Sequence, residues 1–274
     1  NIKDINLDNI LRKKKNTNKG TYGSLAIIGG NIGMHGALQL AGTSALYSGC
    51  GKVSLVPLDY EFMLDIATPE LMVKNLSDYI DKINSFSALV VGIGFDTHEE
   101  SQIILEKLIN NIKQPSIFDA DSLNIIAGNI QIKEQFIELK NKIITPHPTE
   151  AARLLNASVE DIQNDRFNAI QELGKIYKAT VILKGAGSLI YNNNIVYINS
   201  TGNQGMAVAG QGDVLSGIIG SFLAQGLNEL SSSKLATYVH GLTGDNLVKE
   251  LGGYIGVLPN LVAKGVGKEL NKMI

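Results

Sequence analysis

The sequence predicts a three-layer α/β fold, in which a mostly parallel central sheet is flanked by helices. Three observations predict it. Short apolar runs alternate with helical stretches over most of the chain. The runs are continuously apolar rather than alternating, as in strands buried on both faces. Several of them end in glycine or a polar residue, and the carboxyl ends of such strands are where an open α/β sheet binds its ligands.

The elements follow in order. Residues 24–30, Ser-Leu-Ala-Ile-Ile-Gly-Gly, read as a buried strand, and 36–48 as a helix rich in small residues. Residues 51–57 are a second strand and 88–94, Ala-Leu-Val-Val-Gly-Ile-Gly, a third, followed by a helix over 99–111. Strands at 116–121 and 142–146 end in polar residues, and 159–178 forms one long amphipathic helix leading into a strand at 180–185. Residues 188–191 and 195–198 flank Asn192-Asn193-Asn194, a hairpin signal that sets an antiparallel pair near one edge. From Gly212 onward the pattern is helical, over 213–225, 232–251 and 259–272. No repeat, low-complexity tract or linker divides the chain, so 1–274 reads as a single domain.

Composition narrows the function. Apolar residues at 44% and charged residues at 18% suffice for a core and argue against disorder. Twenty-four Lys and Arg against 26 Asp and Glu leave a net charge of −2, without the basic footprint of a nucleic-acid or anionic-membrane binder. The run Arg12-Lys13-Lys14-Lys15 reads as a solvated first helix or arm, and residues 1–19 contain no apolar targeting stretch. The most apolar long segment, 213–227, is broken by Ser216, Gly217, Gly220 and Ser221 and is shorter than the ~20 residues of a membrane span. A single cysteine, Cys50, excludes internal disulfides and Cys-rich zinc sites and suits a reducing cytoplasm. The four histidines (35, 98, 147 and 240) have no metal-ligand spacing, so no protein metal site is expected. Glycine is in excess: 29 residues, where an average usage of ~7% would give about 19.

The standard loops are absent. No Gly-Lys pair precedes Ser or Thr, position 97 is Thr where a dinucleotide fingerprint needs glycine, and neither Gly-x-Ser-x-Gly nor His-Glu-x-x-His occurs. The informative stretch is Gly202-Asn-Gln-Gly-Met-Ala-Val-Ala-Gly-Gln-Gly-Asp213-Val-Leu-Ser-Gly217. It runs from polar and glycine-rich straight into an apolar helix. The amides of Gly210, Gln211 and Gly212 therefore fall at a helix N-terminus, a ready anion site that glycines let phosphate approach. Asp213 repels the phosphate it sits beside. A plain helix cap explains the carboxylate but not the glycines around it. A base that takes the proton of a hydroxyl attacking phosphorus explains both.

These residues closely resemble the ribokinase-like superfamily and, within it, the ADP/ATP-dependent NAD(P)H-hydrate dehydratases. Further agreement runs in order along residues 19–245. It takes in Lys19-Gly20, Gly29-Gly30 through Gly36-Ala37, Pro69-Glu-Leu-Met72, Gly92-Ile-Gly94, and Asp119-Ala-Asp-Ser-Leu-Asn124. It continues with Thr145-Pro-His-Pro-Thr-Glu150, Leu183-Lys-Gly-Ala-Gly187, His240-Gly241 and Gly244-Asp245. The resemblance implies a ribokinase-like fold and repair of NADH or NADPH hydrated at C6, with ADP or ATP as phosphoryl donor and Mg2+ carried on the nucleotide. It implies Asp213 as the base and Gly210, Gln211 and Gly212 as the anion hole. Lys184, Gly185, Ala186, Gly187, Ser188, Asn203 and Gly212 would hold the nucleotide. Ala37, Gly94, Asp96, His147 and Asp213 would face the hydrate. It also implies a cytoplasmic homotetramer of the single-domain bacterial type. Two other functions use the same residues: a ribokinase-like kinase acting on a vitamin-precursor alcohol, and a nucleotide-binding module without catalysis.

The chain departs from the family in places. It reads Gly92-Ile-Gly-Phe-Asp96 where Gly-Pro-Gly-Leu-Gly is common, which puts a carboxylate near the substrate diphosphate. Met34 stands at a usual tyrosine, and Gln204 and Gln211 at a usual Pro and Thr. Taken without the family, several site residues have plainer readings. Lys184 is a snorkelling lysine at a strand end, Asp121 a helix cap, His147 an exposed residue after a strand stop, His240 and Asp245 helix residues, and Cys50 a small core residue.

Overall fold

Residues 2, 5–8, 10, 12, 15–58 and 68–273 are described by a computed structural model; Lys13 and Lys14 of the basic run lie outside them. One sheet of nine strands runs in the order β3-β2-β1-β4-β5-β6-β7-β8-β9. Its strands are β1 (Ser24–Gly29), β2 (Lys52–Pro57), the two-residue β3 (Met72–Val73), β4 (Ala88–Ile93), β5 (Ser116–Phe118), β6 (Lys142–Ile144), β7 (Thr180–Leu183), β8 (Leu189–Asn192) and β9 (Ile195–Ile198). Pairing is parallel from β3 through β7, and β8 and β9 add antiparallel at one edge. The hairpin turns on Asn193 and Asn194, at φ 48° and 65°, the left-handed pair that a two-residue turn requires and asparagine tolerates.

The strand period of two sorts the core into two layers. Leu25 and Ile27 of β1 point into one layer, Ala26 and Ile28 into the other. The first layer is closed by α1 (His35–Tyr47), α9 (Gln211–Ala224), α10 (Glu229–Leu251) and α11 (Pro259–Asn271). The second is closed mainly by α3 (Glu99–Asn111), α4 (Asp121–Gly128), α5 (Ile130–Glu138), α6 (Pro148–Leu155) and α8 (Arg166–Tyr177). Among the described residues, the short helices α2 (Leu76–Tyr79) and α7 (Val159–Asn164) complete the α-helices. No helix among the described residues is long and apolar enough to cross a membrane.

One expectation fails. The single helix over 159–178 is two helices, broken at Asp165, whose backbone leaves the helix at φ −140°. Its carboxylate accepts the Asn168 N–H and caps α8, while Ser158 and Asp161 form a capping box on α7. The capping carboxylate offers the backbone an alternative to the helical ladder, and the chain takes it. The strands expected at 116–121 and 142–146 are also shorter, because α4 starts at Asp121 and α6 at Pro148.

Glycines bring α9 onto the sheet. A Cβ at Gly217 would lie 2.1 Å from both Ala41 O and Ser44 Oγ of α1, and one at Gly220 would lie 2.7 Å from Val90 Cγ2 of β4. Ser44 Oγ donates to Val214 O at 2.9 Å across the same seam. This contact predicts that Gly217→Ala destabilises the protein by about 1–3 kcal/mol through overpacking, lowering the melting temperature by several degrees. Gly128→Ala, where nothing lies within 4 Å, should change stability by less than about 1 kcal/mol. Calorimetric melts of the two variants measure the difference, and equal melting temperatures would contradict it.

Candidate functional site

The carboxyl ends of β5, β6 and β7 meet the first turn of α9. Gly210 is the N-cap of α9 at φ 98°, a left-handed position where a Cβ would also meet Leu40 and Pro259. Gln211, Gly212 and Asp213 form the first turn, whose N–H groups have few acceptors within the helix. A Cβ at Gly212 would sit 3.4 Å from Lys184 Nζ and 3.9 Å from Asp119 Oδ2. Gly212, the lysine and a buried acid thus share one spot.

Lys184 is no snorkelling lysine. Its N–H donates to Pro146 O at 2.9 Å, and its ammonium donates to Asp119 Oδ1 at 2.7 Å and lies 3.8 Å from Glu150 Oε2. Asp119, 1% exposed, also accepts from the Ala120 N–H at 2.8 Å and, at Oδ2, from Ser216 Oγ at 2.7 Å. Burial works against the charge of Lys184, but Asp119 and Glu150 outweigh it and its pKa is raised.

Burial first, then the charges of Asp119 and Asp121, push the Asp213 carboxyl up to about 7 against the pull of Lys184. Burial likewise carries Glu150 up to about 7, with Lys184 opposing and Asp119 and Asp121 reinforcing. Two of the four acids therefore take up protons near neutral pH. A phosphate arriving at α9 meets less negative charge than the sequence suggests.

His147 caps α6. Its Nδ1 accepts the N–H groups of Thr149 and Glu150 at 3.1 and 3.3 Å, and its Nε2 lies 3.2 Å from Glu150 Oε1. Burial, then Lys184, lowers its pKa, so the imidazole is neutral, half-exposed, and turned toward its own helix. Across the site, the loop before α1 is stitched to the turn after β4: Gly30 N–H donates to Ile93 O and Asn31 N–H to Gly94 O. This brings Ala37, Gly94 and Asp96 together beside Met34, whose Cβ would be 2.6 Å from a Cβ on Gly94. Asp96 sits at φ 65°, donates its N–H to Asp121 Oδ2 at 2.9 Å, and has Oδ2 3.2 Å from His98 Nε2.

Residues 184–188 turn β7 into β8, with Gly185 at φ 145° and Gly187 at φ 62°. Arg166, which sequence reasoning missed, clamps this turn by donating to Ala186 O at 2.7 Å and Leu183 O at 3.3 Å; Ser188 Oγ donates to Gly185 O. Asn203 accepts the Gly205 N–H and donates to Asp245 Oδ1 at 2.8 Å, and Asp245 Oδ2 accepts the Gly202 N–H. Asp245 thus shapes the glycine loop from α10. Ser216 was also missed, although its spacing of three from Asp213 puts both on one helix face.

The chain matches the NAD(P)H-hydrate dehydratase family over residues 25–266. It is 38% identical to the ADP-dependent (S)-NAD(P)H-hydrate dehydratase of Neisseria meningitidis over 255 residues, 92% of this chain and 86% of that protein. It is 36% identical to the bifunctional NAD(P)H-hydrate repair enzyme Nnr of Escherichia coli, covering 88% of this chain but 46% of that protein, so it spans about half the length of such relatives. Among solved structures, the ADP/ATP-dependent NAD(P)H-hydrate dehydratase of Bacillus subtilis, co-crystallised with ATP/Mg2+, superposes with a TM-score of 0.81 at 25% identity, over 95% of this chain and 92% of that one. A ribokinase-like protein of Enterococcus faecalis, at 24% identity, shares the fold with a TM-score of 0.85 over 98% and 95% of the two chains.

The first turn of α9 is also braced from behind. Gln211 Nε2 donates to Val257 O, and Gln211 Oε1 lies 3.0 Å from His240 Nε2. Burial lowers the His240 pKa to about 4, against ~6.5 in the unfolded chain. As pH falls below ~6.5 the unfolded chain takes the proton first, so this stabilisation is complete above ~6.5 and lost toward pH 4. His240→Gln should remove about 1 kcal/mol of the stability lost between pH 7 and 5.5. Glu150 and Asp213 titrate in both proteins and cancel in the comparison, which denaturant titration at the two pH values measures. Equal pH dependence in variant and parent would contradict the assignment.

Proposed function

Because the chain belongs to the NAD(P)H-hydrate dehydratase family, we propose that it returns the S-form of hydrated NADH and NADPH to the dihydropyridine, consuming ADP or ATP. The observation that carries this reading is the Asp213 carboxyl, on the first turn of α9 beside Lys184, with a proton affinity near neutrality. A general base works best when its pKa lies near the operating pH.

In this reading Asp213 takes the proton of the C6 hydroxyl as that oxygen attacks the terminal phosphorus. One O–P bond forms and the bond to the nucleotide breaks, leaving AMP from ADP or ADP from ATP. Phosphate then leaves C6 with its bonding pair while C5 gives up a proton, and the ring double bond returns. The amides of Gly210, Gln211 and Gly212, the α9 dipole and the Lys184 ammonium face the charge of the transferring group. The turn Lys184-Gly185-Ala186-Gly187-Ser188, with Asn203 and Gly212, receives the nucleotide. Ala37, Gly94, Asp96 and His147 line the hydrate side. Among the described residues no three His, Cys, Asp or Glu side chains gather as a metal cage, and Lys184 fills the middle of the acidic cluster. That arrangement suits Mg2+ bound to the nucleotide phosphates, whose charge it neutralises there.

By likeness to the family, the reading includes small molecules as the only partners besides further copies of the chain, a homotetramer as the working form, and the cytoplasm as its place. The vitamin-precursor kinase would use the same base but release an intact phosphate ester, and family membership favours the dehydratase.

Incubation of the protein with hydrated NADH, Mg2+ and either nucleotide should restore the dihydropyridine absorbance. Accumulation of a stable phosphorylated product would indicate the kinase. Asp213→Asn should lower kcat by about 10²–10⁴-fold while melting temperature and nucleotide affinity hold or rise, since a buried repelling carboxyl has gone. In the parent protein kcat/KM should rise about tenfold per pH unit up to about 7 and level off above, as the base of the free enzyme loses its proton. A variant keeping more than about a tenth of kcat, less than the smallest loss expected of a general base, would overturn the role of Asp213.

A further inference from the structure

We infer that Asp119 is the positioning residue of this site, holding the Lys184 ammonium and the Ser216 hydroxyl on its two carboxylate oxygens so that cation and base keep one geometry. The inference rests on the proposed function for its catalytic meaning, and on contacts for its physics. Oδ1 accepts from Lys184 Nζ at 2.7 Å and Oδ2 from Ser216 Oγ at 2.7 Å. Lys184 is fixed to the end of β7, and Ser216 stands one turn after Asp213 on α9. One carboxylate on the end of β5 therefore sets the distance between the group that meets phosphate and the helix turn that carries the base.

The backbone holds the carboxylate in place. Ala120, between Asp119 and Asp121, sits at φ 52° and ψ −122°, a strained conformation for a residue with a side chain. That residue donates its N–H to Asp119 Oδ1. On the other side of Ala120, Asp121 accepts the Asp96 N–H. The two acids thus serve the two halves of the site.

The direction of failure is also set. Glu150 Oε2 waits 3.8 Å from Lys184 Nζ on the side of α6. Without the Asp119 charge the ammonium moves toward Glu150 and away from Gly212. The charged and titratable groups facing the pair are Asp121 from α4, His147 and Glu150 from α6, and Asp213 from α9. Asp119 is one of the like charges that raise the proton affinity of Asp213.

The test is Asp119→Asn in the full chain, which keeps shape and removes charge. The Mg-ADP dissociation constant should rise about tenfold, as for a lost charge-assisted contact. The Asp213 carboxyl, followed by carbon-13 NMR, should titrate about one unit lower as a like charge goes. Adding Glu150→Gln to Asp119→Asn should recover part of the ADP affinity by removing the competing acid. Ser216→Ala should leave ADP affinity within about twofold and lower kcat, because the base loses its tether while Lys184 keeps its partner. Should Asp119→Asn fail to fold, Asp119→Glu carries the same titration and affinity readouts with the charge displaced by one methylene. A loss of melting temperature with unchanged ADP affinity and unchanged Asp213 titration would reduce Asp119 to a structural acid and overturn the inference. Neither readout needs turnover, so a parent protein inert toward hydrated NADH would sink the proposed function alone.

Discussion

The Lys184–Asp119 ion pair is the constraint on which the rest of the site depends. Burying two charges costs several kcal/mol per ion unless geometry and further hydrogen bonds repay it. Here the repayment is visible: Asp119 has three donors on two oxygens, and Lys184 a second acid within 4 Å. The pair ties β5 to β7 at their carboxyl ends and, through Ser216, ties both to α9. It also shapes the electrostatics. One lysine among four acids leaves negative charge in excess, and burial, reinforced by that excess, raises the proton affinity of Glu150 and Asp213. In the proposed reading, a carboxylate next to an anion hole is thereby reconciled with phosphate binding.

The helix that carries Asp213 reaches this pair because it can lie flat on the sheet and on α1. A Cβ on Gly217 would overlap Ala41 and Ser44, and one on Gly220 would press on Val90 and Leu25. The excess of glycine in the sequence thus has two origins. Some glycines, such as Gly210 and Gly185, take positive-φ backbone beyond the carboxyl ends of the strands, and others let helix and strand backbones approach.

Much of this was legible in the sequence. The continuous apolar runs marked β1, β2, β4 and β7, and the glycine-rich approach to Asp213 marked the start of α9. Thr145-Pro-His-Pro-Thr-Glu150 carried a readable cap, since an acceptor three residues before Glu150 is the spacing of a capping box. The break at Asp165 was hidden because the apolar period runs on through it, from Ile162 to Ala169 and Ile170. The central ion pair was hidden for a different reason. Asp119 and Lys184 are 65 residues apart and meet only when β6 lies between their strands. Periodicity reports which face a side chain takes, not which distant partner waits there. Arg166 gave no local signal, because its acceptors are backbone carbonyls of another element.

Asp96 shows how the same physics lets a carboxylate occupy a left-handed turn. The turn needs a left-handed backbone there, at φ 65°, which glycine meets without cost and aspartate is among the few other residues to adopt. Its side chain settles locally: Oδ1 accepts the Thr97 N–H and Oδ2 faces His98. The N–H, the part of the residue that any occupant would present, goes to Asp121. The turn therefore keeps the shape a glycine would give it, and the added charge is directed toward His98. Backbone conformation is thus the first demand at this position, and the side chain is accommodated afterwards.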